Sequence, residues 1–306
     1  MQVDLKRLIA LCEMSENKIL EDNHFCGHDW ECDGQHSFLD RGSNILAVAH
    51  IDTYGDIIRE RTDFIKTATD WVIFHPSLDD RLGIFVVLYL LPQLGICPDV
   101  LLTTDEECCN STASLFQPTK IYNWIVEFDR KGTDVVMYQY RSCLRLCDDL
   151  KDAGFNIGIG SYSDIVELDW MERGAFNVGI GYHFEHTKRC CMVLSELVEQ
   201  LKRFTTFWHA HQDDVYEYES GLSIRRAGRF GAGRYGNYGN WTPSDAEYEY
   251  YLYNQQYLNP ESEGDRHPFI GGNPEKRRKK KNRRKDRSGN RPSPVQKIYR
   301  QEWEGL

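Results

Sequence analysis

The chain has 306 residues and a formal net charge of −10, and hydrophobic residues make up 41% of it. This length allows one large domain or two modest ones, and the acidic balance argues against a general nucleic-acid binder unless the basic residues are segregated. The ten cysteines lack the regular spacing of a small disulfide scaffold. The opening residues lack the apolar core of a signal peptide, and the longest apolar run, Leu82 to Leu91, is shorter than the roughly 20 residues that span a bilayer. We therefore expect a cytoplasmic protein in a reducing setting, with no membrane partner.

Residues 1–205 alternate between helix and strand patterns. The predicted helices lie near residues 5–12, 82–91, 142–153 and 193–201, and the predicted strands near 44–49, 71–74, 99–103, 124–128 and 175–180. Pro92 is expected to stop the second helix. This order of elements predicts an α/β catalytic domain, a three-layer sandwich in which a mixed, mostly parallel sheet is flanked by helices.

The composition changes after residue 205. Residues 206–306 are rich in Gly, Tyr and charged side chains and contain a basic block at 276–287. Such a segment buries too little apolar surface to offset its chain entropy, so we expect a low-complexity, disordered tail. The basic block suits nucleic acid or another anionic partner, through counterion release, and it equally suits a solvated tail with no partner.

Carboxylate and imidazole side chains gather at the ends of the predicted strands and just before the second helix. They are His50, Asp52, Asp79, Asp80, Glu106, Glu107, Asp129 and His186. In an open α/β sheet the carboxyl ends of the strands form the crevice where ligands bind. So many carboxylates would repel one another unless cations neutralised them. Zinc accepts both ligand types, and two metals about 3.5–4 Å apart can clamp a displacement reaction, so the inventory suits a two-metal hydrolase.

Five short motifs within residues 1–205 resemble, in the same order, the metal motifs of the clan of zinc aminopeptidases and carboxypeptidases. They are the stretch 44–53 ending His50-Ile51-Asp52-Thr53, then Leu78-Asp79-Asp80-Arg81-Leu82-Gly83, Thr104-Asp105-Glu106-Glu107, Glu127-Phe128-Asp129-Arg130, and Gly181-Tyr182-His183-Phe184-Glu185-His186-Thr187. The second is closest to the version in the tetrahedral aminopeptidases. The resemblance implies that fold and two divalent metal ions, Zn²⁺ by default, with Co²⁺ or Mn²⁺ also compatible.

The resemblance also assigns ligands. One ion would be held by His50, Asp79 and Asp129. The other would be held by Asp79, Glu107 and His186, so that Asp79 bridges the two.

Catalytic roles follow from the same resemblance. Asp52 would accept the second ring N–H of His50 and fix its orientation. Glu106 would take a proton from a metal-bridging water and pass it to the leaving amine. The implied activity is hydrolysis of a peptide or related amide, foremost by an aminopeptidase. The alternatives are a carboxypeptidase or deacylase on the same fold, and a non-catalytic binding module.

Neighbouring residues leave several assignments open. Asp80 competes with Asp79, Glu127 with Asp129, and His183 with His186; in each pair the family register favours the second. His75 is a further candidate at the site. The turn at 160–164 resembles a loop that lines the family's substrate cleft, and a plain turn fits it equally. Cys26, His28, Cys32 and His36 lie close together, but their spacing matches no standard zinc finger.

The spacing of the motifs predicts a minimal domain. Asp79 follows His50 by only 29 positions, an interval in which the tetrahedral aminopeptidases place an extra domain. The span from Asp129 to His186 leaves little room for the dimerisation domain of the carboxypeptidase branch. We therefore expect a single-domain form of the resembled family.

Overall fold

The computed structural model describes residues 2–22, 24–54, 62–67 and 70–219. The α-helices of this part are α1 (Leu5–Cys12), α2 (Glu16–Leu20), α3 (Leu78–Phe85), α4 (Leu91–Gln93), α5 (Leu144–Asp152) and α6 (Leu194–His211). The strands are β1 (Glu31–Cys32), β2 (Ser37–Leu39), β3 (Ile45–His50), β4 (Asp63–Lys66), β5 (Trp71–Phe74), β6 (Asp99–Thr103), β7 (Trp124–Arg130), β8 (Asp134–Val136), β9 (Asn156–Ile157), β10 (Ala175–Gly179), β11 (Tyr182–His183) and β12 (Cys191–Val193). None of the ten cysteines forms a disulfide.

The central sheet has eight strands in the order β1-β2-β6-β3-β7-β10-β8-β9. β3 runs parallel to β6 and β7, and β7 runs parallel to β10, whereas β2 and β8 are antiparallel to their inner neighbours. Every residue of β3 and β6 is buried, as expected of central parallel strands that are covered on both faces. The predicted α/β class and the mixed sheet are confirmed.

Alternation along β7 separates the two faces of this sheet. Trp124 and Phe128 lie on one face, where their rings contact Phe204 of α6. Glu127 lies on the other face and is hydrogen bonded to Ser163, which begins the 3₁₀ segment at 164–171. Helical segments therefore cover both faces of the sheet, as the sandwich prediction requires.

A second, antiparallel sheet has the order β11-β12-β5-β4, and the sequence prediction did not separate it. The apolar run of β5, expected beside the other strands, pairs instead with β4 and β12. Because β11 and β12 have only two and three residues, their pairing leaves no alternating pattern long enough to read from the sequence.

The second predicted helix differs from its prediction at both ends. It begins at Leu78, so that Asp79 and Asp80 lie in its first turn and not before it. It also continues past Pro92, through a π turn at 86–90 that leads into α4. Pro92 lies at the start of α4, directly after the π turn, where its fixed φ is compatible with the helix.

The folded part of the chain extends beyond residue 205, where the sequence analysis placed the start of the tail. Phe207 and Trp208 of α6 are buried, as are Tyr216 and Tyr218 after it. The predicted disordered tail covered residues 206–306, and its part from 220 onward, with the basic block, lies outside the described residues. No helix in the described ranges is long and apolar enough to cross a membrane.

Candidate metal centre

The predicted site residues meet at the carboxyl edge of the central sheet. β3 ends at His50, β6 ends just before the Glu106–Glu107 turn, and β7 contains Asp129 near its end. Because these three strands are parallel neighbours, their carboxyl ends lie side by side.

Close packing of α3 adds the Asp79 side chain to this edge. A Cβ at Gly83 would collide with the carbonyl oxygen of Phe128 and would lie 3.4 Å from the Cβ of Ala49. Glycine at this position therefore lets α3 rest directly on β3 and β7. Its first turn, with Asp79, then lies beside the strand ends.

His50 forms the inner side of the site and is 1% exposed. Its Nε2 lies 3.0 Å from Oδ1 of Asp129, and its Nδ1 lies 3.4 Å from Oδ1 of Asp52 and 3.1 Å from the Asp52 carbonyl oxygen. Burial lowers the pKa of His50, but Asp129 and Asp52 outweigh it and hold the pKa well above its usual value. An acceptor at each ring nitrogen fixes the ring, leaving one nitrogen for a cation and the other for an orienting carboxylate.

His186 forms the outer side, where its side chain is 42% exposed. Its Nε2 lies 3.0 Å from Oε2 of Glu107 and 3.5 Å from Oδ2 of Asp79, and its backbone N–H donates to the same Asp79 oxygen. One ligand atom from each of these three residues lies within 4.8 Å of the others. This trio has the composition of the second predicted ligand set.

The first predicted ligand set is assembled only in part. His50 and Asp129 are adjacent, but among the described residues Asp79 forms no common group with them. The Asp79 carboxylate is turned toward the backbone N–H of His186. His50 groups instead with Glu106 and Glu107, so the bridging role of Asp79 remains a prediction.

The carboxyl groups of the site strongly perturb one another. Burial, followed by the charge of Asp129, raises the pKa of Asp79 to about 7. Burial also raises the pKa of Glu106 to about 9, with His50 opposing the shift and Asp129 adding to it. Burial opposes ionisation of Glu107, but the hydrogen bond from His186 outweighs it and lowers the pKa of Glu107. Buried carboxyl groups that oppose one another's ionisation, beside two imidazoles, are a donor set that suits divalent cations.

The competing candidates lie elsewhere or have other partners. Glu127 is fully buried and bonded to Ser163 on the sheet face. His183 places its Nε2 2.7 Å from Oε2 of Glu196 and belongs to neither of the two groups at this edge. Asp80 and His75 are buried nearby, and neither joins a ligand group within the described ranges.

The cluster near the N-terminus does not assemble as a zinc site. Among the described residues, Cys26, His28, Cys32 and His36 form no common ligand group. Cys32 Sγ instead lies 3.2 Å from Oγ of Ser37.

Two aromatic residues at or near the centre were not predicted from the sequence. The ring of Tyr54 stacks on His186 with centroids 4.6 Å apart, and the Tyr182 hydroxyl donates to the carbonyl oxygen of Asp129. Tyr182 lies inside the last motif, so its position carried a signal, whereas nothing in the sequence marked Tyr54.

A third ligand-like group lies away from this edge and consists of Asp149, His211 and Asp214. Arg145 pairs with Asp214 at 2.7 Å, and the Tyr216 hydroxyl donates to Asp149. Both carboxylates of the group therefore already have partners in the fold, so we interpret it as a structural ion network.

No protein-family model matches the sequence, and no curated protein matches it. Several solved structures do match. An aminopeptidase from the archaeon Desulfurococcus kamchatkensis is 11% identical, with a TM-score of 0.48, covering 74% of this chain and 97% of that chain. The TET1 peptidase of Pyrococcus horikoshii is 11% identical, with a TM-score of 0.48, covering 66% and 98%. The aminopeptidase PepT of Bacillus cereus is 9% identical, with a TM-score of 0.45, covering 66% and 96%.

Two of these structures are named as aminopeptidases and one as a peptidase. The functional conclusion rests on the side chains of the candidate metal centre.

Proposed function

We propose that this protein is a two-metal hydrolase that cleaves a peptide or related amide bond, foremost as an aminopeptidase. One observation carries the proposal. Two ligand groups adjoin at the carboxyl edge of the sheet and share Glu107: His50 with Glu106 on one side, and Asp79 with His186 on the other. Two adjoining sites that combine imidazole and carboxylate ligands match the requirement of a co-catalytic metal pair.

Five side chains would hold the metals. His50 and Asp129 would hold the inner ion, Glu107 and His186 would hold the outer ion, and Asp79, on the outer side, is the candidate bridge. When bound, two divalent ions, Zn²⁺ by default, polarise the scissile carbonyl and lower the pKa of the attacking water.

Glu106 is the proposed proton carrier. It lies in the group with His50 and Glu107, and its half-buried carboxyl group has a pKa raised to about 9, first by burial. Neighbouring cations favour its ionised form, so in the loaded site it can accept a proton from water and deliver it to the leaving amine.

Asp52 orients this assembly. Its Oδ1 faces Nδ1 of His50 at 3.4 Å, while its Oδ2 accepts the backbone N–H of Glu107 at 3.0 Å. The Asp52 carboxylate thus orients both the ring of His50 and the backbone of Glu107, the residue that the two ligand groups share.

The test is hydrolysis of a panel of amides by the full chain, supplied in turn with Zn²⁺, Co²⁺ and Mn²⁺. The panel holds aminoacyl reporter amides, peptides with a free C-terminus and N-acyl amino acids, because these separate an aminopeptidase from a carboxypeptidase and a deacylase. Glu106→Gln is expected to lower kcat by about 10²–10⁴-fold while leaving metal content intact. The matched control is Glu196→Gln, because the Glu196 carboxylate pairs with His183 away from the ligand groups.

Absence of hydrolysis with every metal and substrate would favour the binding-module alternative. Equal activity of wild type and Glu106→Gln would contradict the role of Glu106.

A further inference from the structure

The two glutamates of the site lie on a backbone segment of unusual conformation. We call residues 104–110, between the end of β6 and Ser111, the glutamate loop. Asp105 and Cys109, which flank its short 3₁₀ turn, have φ values of 61° and 54°, in the left-handed region. Non-glycine residues keep this conformation only where their surroundings hold it in place.

A single buried carboxylate is bonded to both ends of this loop. Asp164 is 0% exposed. Its Oδ2 accepts a hydrogen bond from the Thr103 hydroxyl at 2.7 Å, and its Oδ1 accepts one from the Ser111 hydroxyl. Thr103 directly precedes the glutamate loop and Ser111 directly follows it, so Asp164 fixes the distance between its two ends.

The residues beside Asp164 anchor it to the central sheet. The Tyr162 hydroxyl accepts the backbone N–H of Ser111 at 2.9 Å. Ser163 bonds to Glu127 of β7 and accepts a hydrogen bond from the side-chain amide of Asn177 of β10. The segment 162–164 therefore connects the rigid strands of the sheet to the loop.

Asp164 itself is not placed to bind a metal. Both of its oxygens are occupied by hydroxyl donors, and it belongs to no ligand group within the described residues. Asp164 acts on the position of the site through the loop that it holds, and its charge also acts on Glu106 across space. Ser111→Ala, which retains that charge, therefore isolates the positioning effect.

We propose that Asp164 is a positioning residue that holds the glutamate loop, and through it the base and one metal ligand, in working geometry. This role rests on the proposed function for its catalytic consequence, whereas the holding of the loop does not depend on any activity. The two parts are therefore tested by separate measurements.

Three variants separate positioning from general stability. Asp164→Asn keeps the shape of the side chain but removes one of the two acceptors. Ser111→Ala removes one hydroxyl donor, and Ser111→Thr restores it. Tyr140→Phe is the matched control, because the buried Tyr140 hydroxyl donates to the carbonyl oxygen of Ile165, next to Asp164, without contacting the loop.

The first measurement is amide hydrogen exchange in the full-length, metal-free protein. Glu107, Cys109 and Asn110 have hydrogen-bonded backbone N–H groups that report on the loop. We expect their exchange to be at least about tenfold faster in Asp164→Asn and Ser111→Ala, and unchanged in Ser111→Thr and Tyr140→Phe. Wild-type exchange in both Asp164→Asn and Ser111→Ala, or equal acceleration in Tyr140→Phe, would overturn the proposal.

The second measurement is steady-state kinetics of the metal-loaded protein. Asp164→Asn and the charge-retaining Ser111→Ala are both expected to lower kcat about 10–100-fold with little change in KM, because each misplaces groups needed in the transition state. Loss of kcat no greater than in Tyr140→Phe would contradict the catalytic consequence. If wild type cleaves no amide, the proposed function fails, and the exchange measurement alone still decides whether Asp164 holds the loop.

Discussion

The two histidines of the candidate metal centre have contrasting settings. His50 is the last residue of a fully buried central strand, and carboxylates of Asp52 and Asp129 face both of its ring nitrogens. His186 lies in an irregular segment after β11, has a φ of 56°, and stacks its half-exposed ring on Tyr54. Sheet geometry fixes the inner side of the centre, whereas a surface segment supplies the outer side.

This difference teaches where the site is preorganised. Side chains on buried strands are held by packing on both faces, so the inner ligands keep their geometry without a metal. An exposed segment unfolds locally at lower free energy. The geometry of the outer ligands therefore depends more on the bound ion. The following variants test the contrast.

Replacing the buried histidine is expected to have the largest effect. His50→Ala leaves the largely buried Asp129 side chain, which is 12% exposed, without its partner. We expect this to cost about 3 kcal/mol of unfolding free energy in chelator-treated protein and to remove metal and activity. Urea unfolding and elemental analysis measure both effects. His183→Ala, at a partly exposed pair with Glu196, is the control, expected to cost less than about 1 kcal/mol. Equal stability of the two variants would remove the distinction between an inner and an outer side.

Replacing the exposed histidine is expected to abolish activity in a way that added ligand can repair. His186→Gly suits the left-handed backbone and leaves an opening toward solvent. Millimolar imidazole is expected to restore part of kcat/KM in this variant and none in His50→Ala, because water-borne imidazole cannot reach the buried position. Rescue of His50→Ala alone would reverse the assignment of the two sides, and rescue of both variants would remove the distinction between them.

The orienting carboxylate of the inner side is expected to matter less than the ligands. Asp52→Asn retains shape but weakens the acceptors for His50 and for the Glu107 N–H, so we expect a loss of about 10–100-fold in metal affinity or kcat/KM. Titration with a chelator of known affinity gives the first quantity. An unchanged affinity and an unchanged kcat/KM would show that strand packing alone orients His50.

The smallest effect is expected at the aromatic neighbour of the outer side. Tyr54→Ala removes a stacked ring contact of about 0.5–1.5 kcal/mol. We expect the affinity for the outer metal ion to fall by about two- to tenfold. Tyr54→Phe retains the ring and is expected to match wild type. A difference between Tyr54→Phe and wild type would point to the Tyr54 hydroxyl and not to its ring.

Local patterns in the sequence were sufficient to predict the central strand β3 and the position of His50 at its end. The apolar run of β3 marks a buried strand, and the carboxyl-end rule then places His50 at the edge where ligands gather. The predictions failed where tertiary contacts outweigh local signals. Two- and three-residue strands build the second sheet, and Pro92 lies inside a helix that changes from a π turn to an α turn.

The holding contacts of the site were equally invisible in the sequence. Asp164 accepts hydrogen bonds from hydroxyls 61 and 53 positions away. Contacts between residues so far apart in the sequence produce no repeating pattern from which they could be predicted. Assembly of the first ligand set was also beyond the sequence, because the orientation of Asp79 depends on a backbone N–H that lies 107 positions later.

Metal content tests the central claim most directly. Elemental analysis of the full chain, purified without chelators and dialysed against excess Zn²⁺ and then metal-free buffer, is compared with Asp79→Asn and Asp80→Asn. We predict about two divalent ions per wild-type chain, a clear loss in Asp79→Asn and wild-type content in Asp80→Asn. Wild-type protein without stoichiometric metal would contradict the two-metal centre itself.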